Sequence, residues 1–263
     1  MPFVTVNDKP IYYETTGTGK PLVFIHALLM NGRMWSDQVT YFADQYQVIT
    51  LDLYGYGKSK LTESRIMDFP EDIKSLLDAL NIEKAHIVGL SMGSMQAQSF
   101  ALTYPNRVDK LALISTGSAG FEYPDEAEIW WTDFISAVKA RDFINAKNIF
   151  TRTFVDGHRN PASEGVKSRT QAMMDDYDFA HFLDDTLLSK EYDITLEAYK
   201  AYTAPVLVVA GDDEPPVHKV VESSQFLATQ FANAKCEVIA DASHFVNLDQ
   251  PETFNGVLKA FLG

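Results

Sequence analysis

The chain has 263 residues, 46% of them hydrophobic, a single cysteine and a formal net charge of −14. That apolar share matches a globular protein and excludes a disordered chain, and the length accommodates one α/β domain carrying an insertion. The negative charge would repel phosphate backbones and anionic lipid, which argues against nucleic acid or a membrane as partner, and one cysteine excludes an internal disulfide.

The first twenty residues, MPFVTVNDKPIYYETTGTGK, lack the basic start, apolar run and small-residue cleavage pattern of a secretion signal. No later apolar run reaches the length of a membrane span. With Cys236 alone and no Asn-x-Ser/Thr sequon, a reducing cytoplasm is the expected compartment.

In chain order, Phe3 to Val6 and Ile11 to Thr15 are short β-branched and aromatic runs separated by the turn-like cluster Asn7-Asp8-Lys9-Pro10, which predicts an antiparallel hairpin. Leu22 to His26, Gln47 to Leu51, Ala85 to Gly89, Lys110 to Ser115, Pro205 to Ala210 and Cys236 to Ile239 follow. These are nearly all apolar, as strands buried on both faces of a parallel sheet should be. Helical spacing of apolar residues runs over Met34 to Asp44, Phe69 to Leu80, Met92 to Tyr104, Val217 to Phe231 and Pro251 to Leu262. Eight strands alternating with helices predict a mostly parallel, doubly wound α/β sheet.

The alternation stops over residues 118–203, so the expected core is 1–117 with 204–263. The interval holds Trp130, Trp131, Phe134, Phe143, Phe150, Phe154, Phe179 and Phe182 at helical spacings, broken at Gly157 to Pro161. This predicts an all-helical cap folded back over the sheet. Core packing accounts for most such aromatic stripes; Trp130, Trp131, Phe134 and Phe154 are the candidates for lining a substrate pocket.

Gly89-Leu90-Ser91-Met92-Gly93 lies between a predicted strand and a predicted helix. There a Gly-x-Ser-x-Gly run raises its serine on a sharp turn at the carboxyl edge of the sheet, with the amides of the following helix pointing at the site. A serine nucleophile needs a base, an orienting acid and a second oxyanion donor. Of six histidines, His244 alone follows the last strand; His86, His158, His181 and His218 read as core or surface residues. Asp212, Asp213 and Glu214 follow the preceding strand, and any one of them could orient His244. Met92 and Leu28, the latter in the loop after the third strand, are the candidate main-chain donors.

With those residues in place, the chain resembles the α/β-hydrolase superfamily, in its small members with a helical cap. Gly89 to Gly93, the acid loop, Ser243-His244-Phe245 and Asp52-Leu53-Tyr54-Gly55-Tyr56-Gly57-Lys58-Ser59 fall in the family's order and spacing over essentially the whole chain. The resemblance implies Ser91 as nucleophile, His244 as base and the residue three beyond Gly211, Glu214, as acid, with Asp213 the alternative on residue type. It also implies a structural role for His26. Ala27 stands where the family usually has glycine, and would be strained if that position needs positive φ.

Gly55-Tyr56-Gly57-Lys58-Ser59 superficially matches a phosphate-binding loop, but its earlier glycine would fall at Asp52. No dinucleotide fingerprint, His-Glu-x-x-His or Cys-x-x-Cys occurs, so neither a cofactor nor a catalytic metal is indicated. A serine at the elbow implies an acyl-enzyme, and the expected activity is hydrolysis of small to medium, rather apolar carboxylic esters by a monomer or small homo-oligomer. A lactonase, a carbon–carbon-bond hydrolase or a perhydrolase could use the same residues, and a slow-turnover small-molecule sensor of the same fold is the alternative outside enzymes.

Overall fold

A computed structural model describes residues 2–64, 66–157, 162–183, 188–189, 194–213 and 219–263. The chain opens with β1 (Phe3–Val6) and β2 (Lys9–Thr16), an antiparallel hairpin in which Val6 pairs with Lys9. Asn7 and Asp8 span the turn at φ 48° and 63°. Their short polar side chains tolerate this left-handed region, whose twist matches that of the flanking strands.

Next come β3 (Lys20–Ile25), a 3-10 turn over Gly32–Trp35, α1 (Ser36–Phe42), β4 (Tyr46–Leu51), β5 (Ile66–Met67), α2 (Phe69–Ala79), β6 (Ala85–Leu90), α3 (Met92–Thr103) and β7 (Val108–Ile114). Five helices and one short strand precede the next long strand: α4 (Asp125–Lys139), α5 (Phe143–Phe154), α6 (Glu164–Asp175), α7 (Ala180–Leu183), β8 (Leu188–Ser189) and α8 (Leu196–Ala201). The chain closes with β9 (Val206–Gly211), α9 (Val220–Gln230), β10 (Ala234–Ile239), α10 (Val246–Asp249) and α11 (Pro251–Leu262).

The main sheet has eight strands in the order β1-β2-β4-β3-β6-β7-β9-β10. β2 runs antiparallel to β4, and from β4 to β10 all neighbours are parallel. Every residue of β6 and β9 is buried, as helices covering both faces require, whereas β10 at the edge keeps exposed positions. The fold class read from the sequence is therefore the observed one. The segment between β7 and β9 is not all helical: Leu188–Ser189 pairs in parallel with Ile66–Met67. A two-residue strand is too short to leave any periodic signal, and its partner is 122 positions away by register.

Helix ends follow local chemistry. Asp68 accepts from the Glu71 N–H at the start of α2, where Pro70 supplies a preset φ, and Ser163 accepts from the Val166 N–H at the start of α6. Beneath the hairpin, Lys9 and Asp72 form an ion pair, 2% and 1% exposed, with the Lys9 ammonium 5.3 Å from the Tyr54 ring centroid. Among the described residues no helix is long and apolar enough to cross a membrane.

Candidate active site

Ser91 sits between β6 and α3 at φ 54° and ψ −119°, a conformation that a non-glycine residue holds only when its surroundings impose it. The surroundings do so through backbone. Its N–H donates to the Ile114 carbonyl at 2.9 Å, and its carbonyl accepts the Ser94 and Met95 N–H groups at 2.9 and 3.1 Å. The two glycines permit close approach: a Cβ on Gly89 would lie 2.2 Å from the Gly93 carbonyl oxygen, and one on Gly93 would lie 2.4 Å from that of Ile25. The turn is thus wedged between β3 and β6, with Ser91 half-buried at its tip.

Ser91, Met92, Leu28 and His244, proposed for one site on sequence, all line a single cavity of about 830 Å³. Met92 opens α3, so its N–H belongs to the first-turn donors that have no acceptor within the helix. His244 follows β10, is 5% exposed, and has the Phe154 ring from α5 packed on it at 4.5 Å between centroids. The Ser115 hydroxyl donates to the His244 carbonyl at 2.8 Å, and Asp249 accepts from the N–H and hydroxyl of Ser243. Asn247 ties the same loop to the rest of the domain by donating to the Met34 carbonyl at 3.0 Å.

The acid loop abuts this one. The Asp213 N–H donates to the Ala242 carbonyl at 3.0 Å, the Asp212 N–H to that of Ile239 at 3.1 Å, and the Asp241 N–H to Asp212 Oδ1 at 2.8 Å. Asp213 is buried and Asp212 exposed. Glu214 and His218 lie outside the described residues, as does His158; His181 falls in α7, and its side chain is not described.

The Leu28 loop is organised by His26, which is completely buried. The Leu53 N–H donates to its Nε2 at 3.0 Å, and its Nδ1 lies 2.8 Å from the Ala27 carbonyl, which can only accept. These partners define a neutral ring protonated on Nδ1, and burial holds its pKa below the usual histidine range despite the nearby Asp52 carboxylate. Ala27 is not among the positive-φ residues; Leu29 is, at φ 59°. The Ala27 position therefore does not need positive φ, and the left-handed residue of this loop is Leu29.

The stretch that resembled a phosphate loop is filled by the protein's own carboxylate. Asp52 Oδ1 accepts from the Gly32 N–H and Oδ2 from the Lys58 N–H, both at 2.8 Å. Gly57, at φ 50°, passes so close that a Cβ there would lie 2.2 Å from Asp52 Oδ2. The N–H groups of Gly55, Tyr56, Lys58 and Ser59 are all engaged within the protein.

Trp130, Trp131 and Phe154 line the cavity, as expected; Phe134 does not. Phe134 is completely buried behind them, stacked on Trp130 at 5.5 Å and on Trp131 at 5.8 Å. It is one helical turn from both tryptophans on α4 and meets Phe182 of α7 at 5.6 Å between ring centroids. Phe150 and Phe182 complete the aromatic wall. The floor carries a polar cluster that no motif announced: Gln98 from α3, Thr116 and Ser118 after β7, and Tyr199 from α8, with Tyr123, 40% exposed, at its outer edge. Gln98 lies seven residues beyond Ser91, on the same side of α3, which is the signal that could have found it.

A family model described as the alpha/beta hydrolase fold matches residues 20–251. A 3-oxoadipate enol-lactonase of Acinetobacter baylyi is 29% identical over 98% of this chain and 95% of its own length. A 2-hydroxy-6-oxononadienedioate/2-hydroxy-6-oxononatrienedioate hydrolase of Paraburkholderia phymatum is 31% identical over 96% of this chain and 91% of its own. A carboxylesterase of Bacillus subtilis is 24% identical over 92% of this chain and 79% of its own; its crystal structure covers 99% of this chain and 90% of that one with a TM-score of 0.78.

Proposed function

The chain belongs to the alpha/beta hydrolase family, and on that premise we propose that it hydrolyses small to medium, largely apolar carboxylic esters through an acyl-enzyme. The observation that carries this reading is the strained Ser91 facing the same aromatic-walled cavity as His244. In the proposed cycle Ser91 Oγ attacks the ester carbonyl while His244 accepts its proton, and the amides of Leu28 and Met92 hold the oxyanion. His244 then protonates the departing alcohol and draws a proton from the water that releases the acid.

Asp213 or Glu214 orients His244. The burial of Asp213 and its tether to Ala242 support the former, since a buried carboxylate is costly without a partner. Residues 118–203 act as the cap, contributing Phe154 against His244 and the tryptophans of the wall. A cytoplasmic location accompanies the reading.

Incubation with p-nitrophenyl butyrate should release a burst of nitrophenolate followed by steady turnover, and Ser91→Ala should abolish both. Hydrolysis retained in that variant would overturn the assignment. The names of two relatives favour a second reading, cleavage of an enol-lactone or of a carbon–carbon bond beside a ketone. Turnover of such substrates at rates well above those of simple esters would select it.

A further inference from the structure

Resting on the ester-hydrolase reading, we propose that the polar floor of the cavity recognises a neutral hydrogen-bond donor on the substrate, a hydroxyl or amide N–H, and rejects a carboxylate at that position. The argument is an account of donors and acceptors. Gln98 Nε2 donates to Thr116 Oγ1 at 2.8 Å and to the Gly117 carbonyl at 3.1 Å. Because a carbonyl can only accept, the orientation of this amide is settled, and both its hydrogens are used.

The Tyr199 hydroxyl donates to Gln98 Oε1 at 2.7 Å. The Ser223 hydroxyl donates to the Thr116 carbonyl at 3.2 Å, so the Tyr123 hydroxyl, 2.7 Å from Ser223 Oγ, donates to it while accepting the Ser118 N–H at 3.0 Å. Among these side chains every donor is committed within the protein. What remains is the second lone pair of Gln98 Oε1 and whatever acceptor capacity Tyr123 Oη and Tyr199 Oη keep beyond the Ser118 and Ala119 N–H groups directed at them. Burial pushes the Tyr199 hydroxyl up to about 12, so that group stays neutral at working pH.

A substrate hydroxyl satisfies this corner by donating into it, and a methyl group leaves it as it is. A carboxylate would shed its hydration shell to face only lone pairs, the most costly outcome of the three. Glu122, Asp125, Glu126 and Glu128, exposed sequence neighbours of the lining residues Tyr123 and Ala127, add negative charge to the same segment. Gln98 stands about 10 Å from Ser91 along α3 at 1.5 Å per residue. A six-carbon acyl chain, with the side chains reaching inward, spans that separation.

The test compares kcat/KM for p-nitrophenyl esters of hexanoic acid, 6-hydroxyhexanoic acid and adipic acid with its second carboxylate free, each corrected for spontaneous hydrolysis. The hydroxylated ester should exceed the plain one by roughly 10-fold, the worth of one added hydrogen bond, and the carboxylated ester should fall below the plain one by about 100-fold or more. Tyr199→Phe strips Gln98 Oε1 of its internal donor and should widen the hydroxyl preference; Gln98→Met should flatten it to unity.

A carboxylated ester that matches or beats the hydroxylated one overturns the proposal while the ester-hydrolase reading survives. If no ester turns over, that reading fails instead, and the floor is judged by the thermal stability of Ser91→Ala protein in 1-hexanol, 1,6-hexanediol and adipate. There the diol must stabilise most; greater stabilisation by adipate refutes the inference.

Discussion

Gly211, the last residue of β9, packs directly against the loop that carries His244, and its replacement by alanine tests whether that joint aligns the site. A Cβ at this position would lie 2.0 Å from the Ala242 carbonyl oxygen and 2.6 Å from that of Ser243, both backbone atoms that no rotamer change can move. An ordinary non-bonded contact sits at roughly 3.5 Å, so the strand end and the loop must part by about 1 Å even after both yield. Asp213 and His244 lie two residues beyond the two sides of this contact, and their relative placement shifts with it. A misplacement of about 1 Å costs on the order of 100-fold in rate, while overpacking costs about 1–3 kcal/mol of stability.

The assay is kcat/KM on p-nitrophenyl butyrate at 25 °C beside a thermal unfolding curve. Gly256→Ala is the control, since nothing lies within 4 Å of a Cβ there and the position is exposed in α11. It should keep full activity and gain up to ~1 kcal/mol from helix propensity. If Gly211→Ala loses the expected stability yet keeps activity within about threefold, against the 100-fold expected of a 1 Å shift, the joint does not align the catalytic groups.

His86 in β6 is buried with no hydrogen-bond partner for either ring nitrogen among the described residues, and burial pulls its pKa down to about 4. Its native pKa lies below the unfolded value, so the stability it permits is present above pH 6.5 and is lost as pH falls from there through 4. His86→Leu should flatten the acid side of a urea-melt series between pH 7 and pH 4; an unchanged slope would show that other groups set it. Removing Asp72 alone, as Asp72→Ala, strands the buried Lys9 ammonium and should cost about 3–5 kcal/mol, whereas Lys9→Met with Asp72→Leu should recover most of it. Chemical denaturation of the two singles and the double closes that cycle, and additive losses would contradict a direct pair.

Much of the architecture was legible because it is written in short-range patterns. Runs of four to six residues located the strands of the main sheet to within two residues, and Asn7-Asp8 placed the hairpin turn. Gly89 and Gly93 were legible because each clears a specific backbone approach. β8 was not, since two residues carry no period, and the aromatic stripe of α4 could not say that Trp130 faces the cavity while Phe134 is buried behind it.

By itself the sequence determined the fold class, the strand-to-helix turn that holds Ser91, and the loops that would supply His244 and a carboxylate, because each depends on residue type at fixed local spacing. Tertiary structure alone decided that Leu29 rather than Ala27 takes the left-handed conformation, that Asp52 fills the amides of the apparent phosphate loop, and that Gln98, Thr116 and Tyr199 meet at the cavity floor. These outcomes depend on which groups remain unsatisfied once distant segments are packed together, and hydrogen-bond partners up to 101 residues apart leave no periodic trace in the chain.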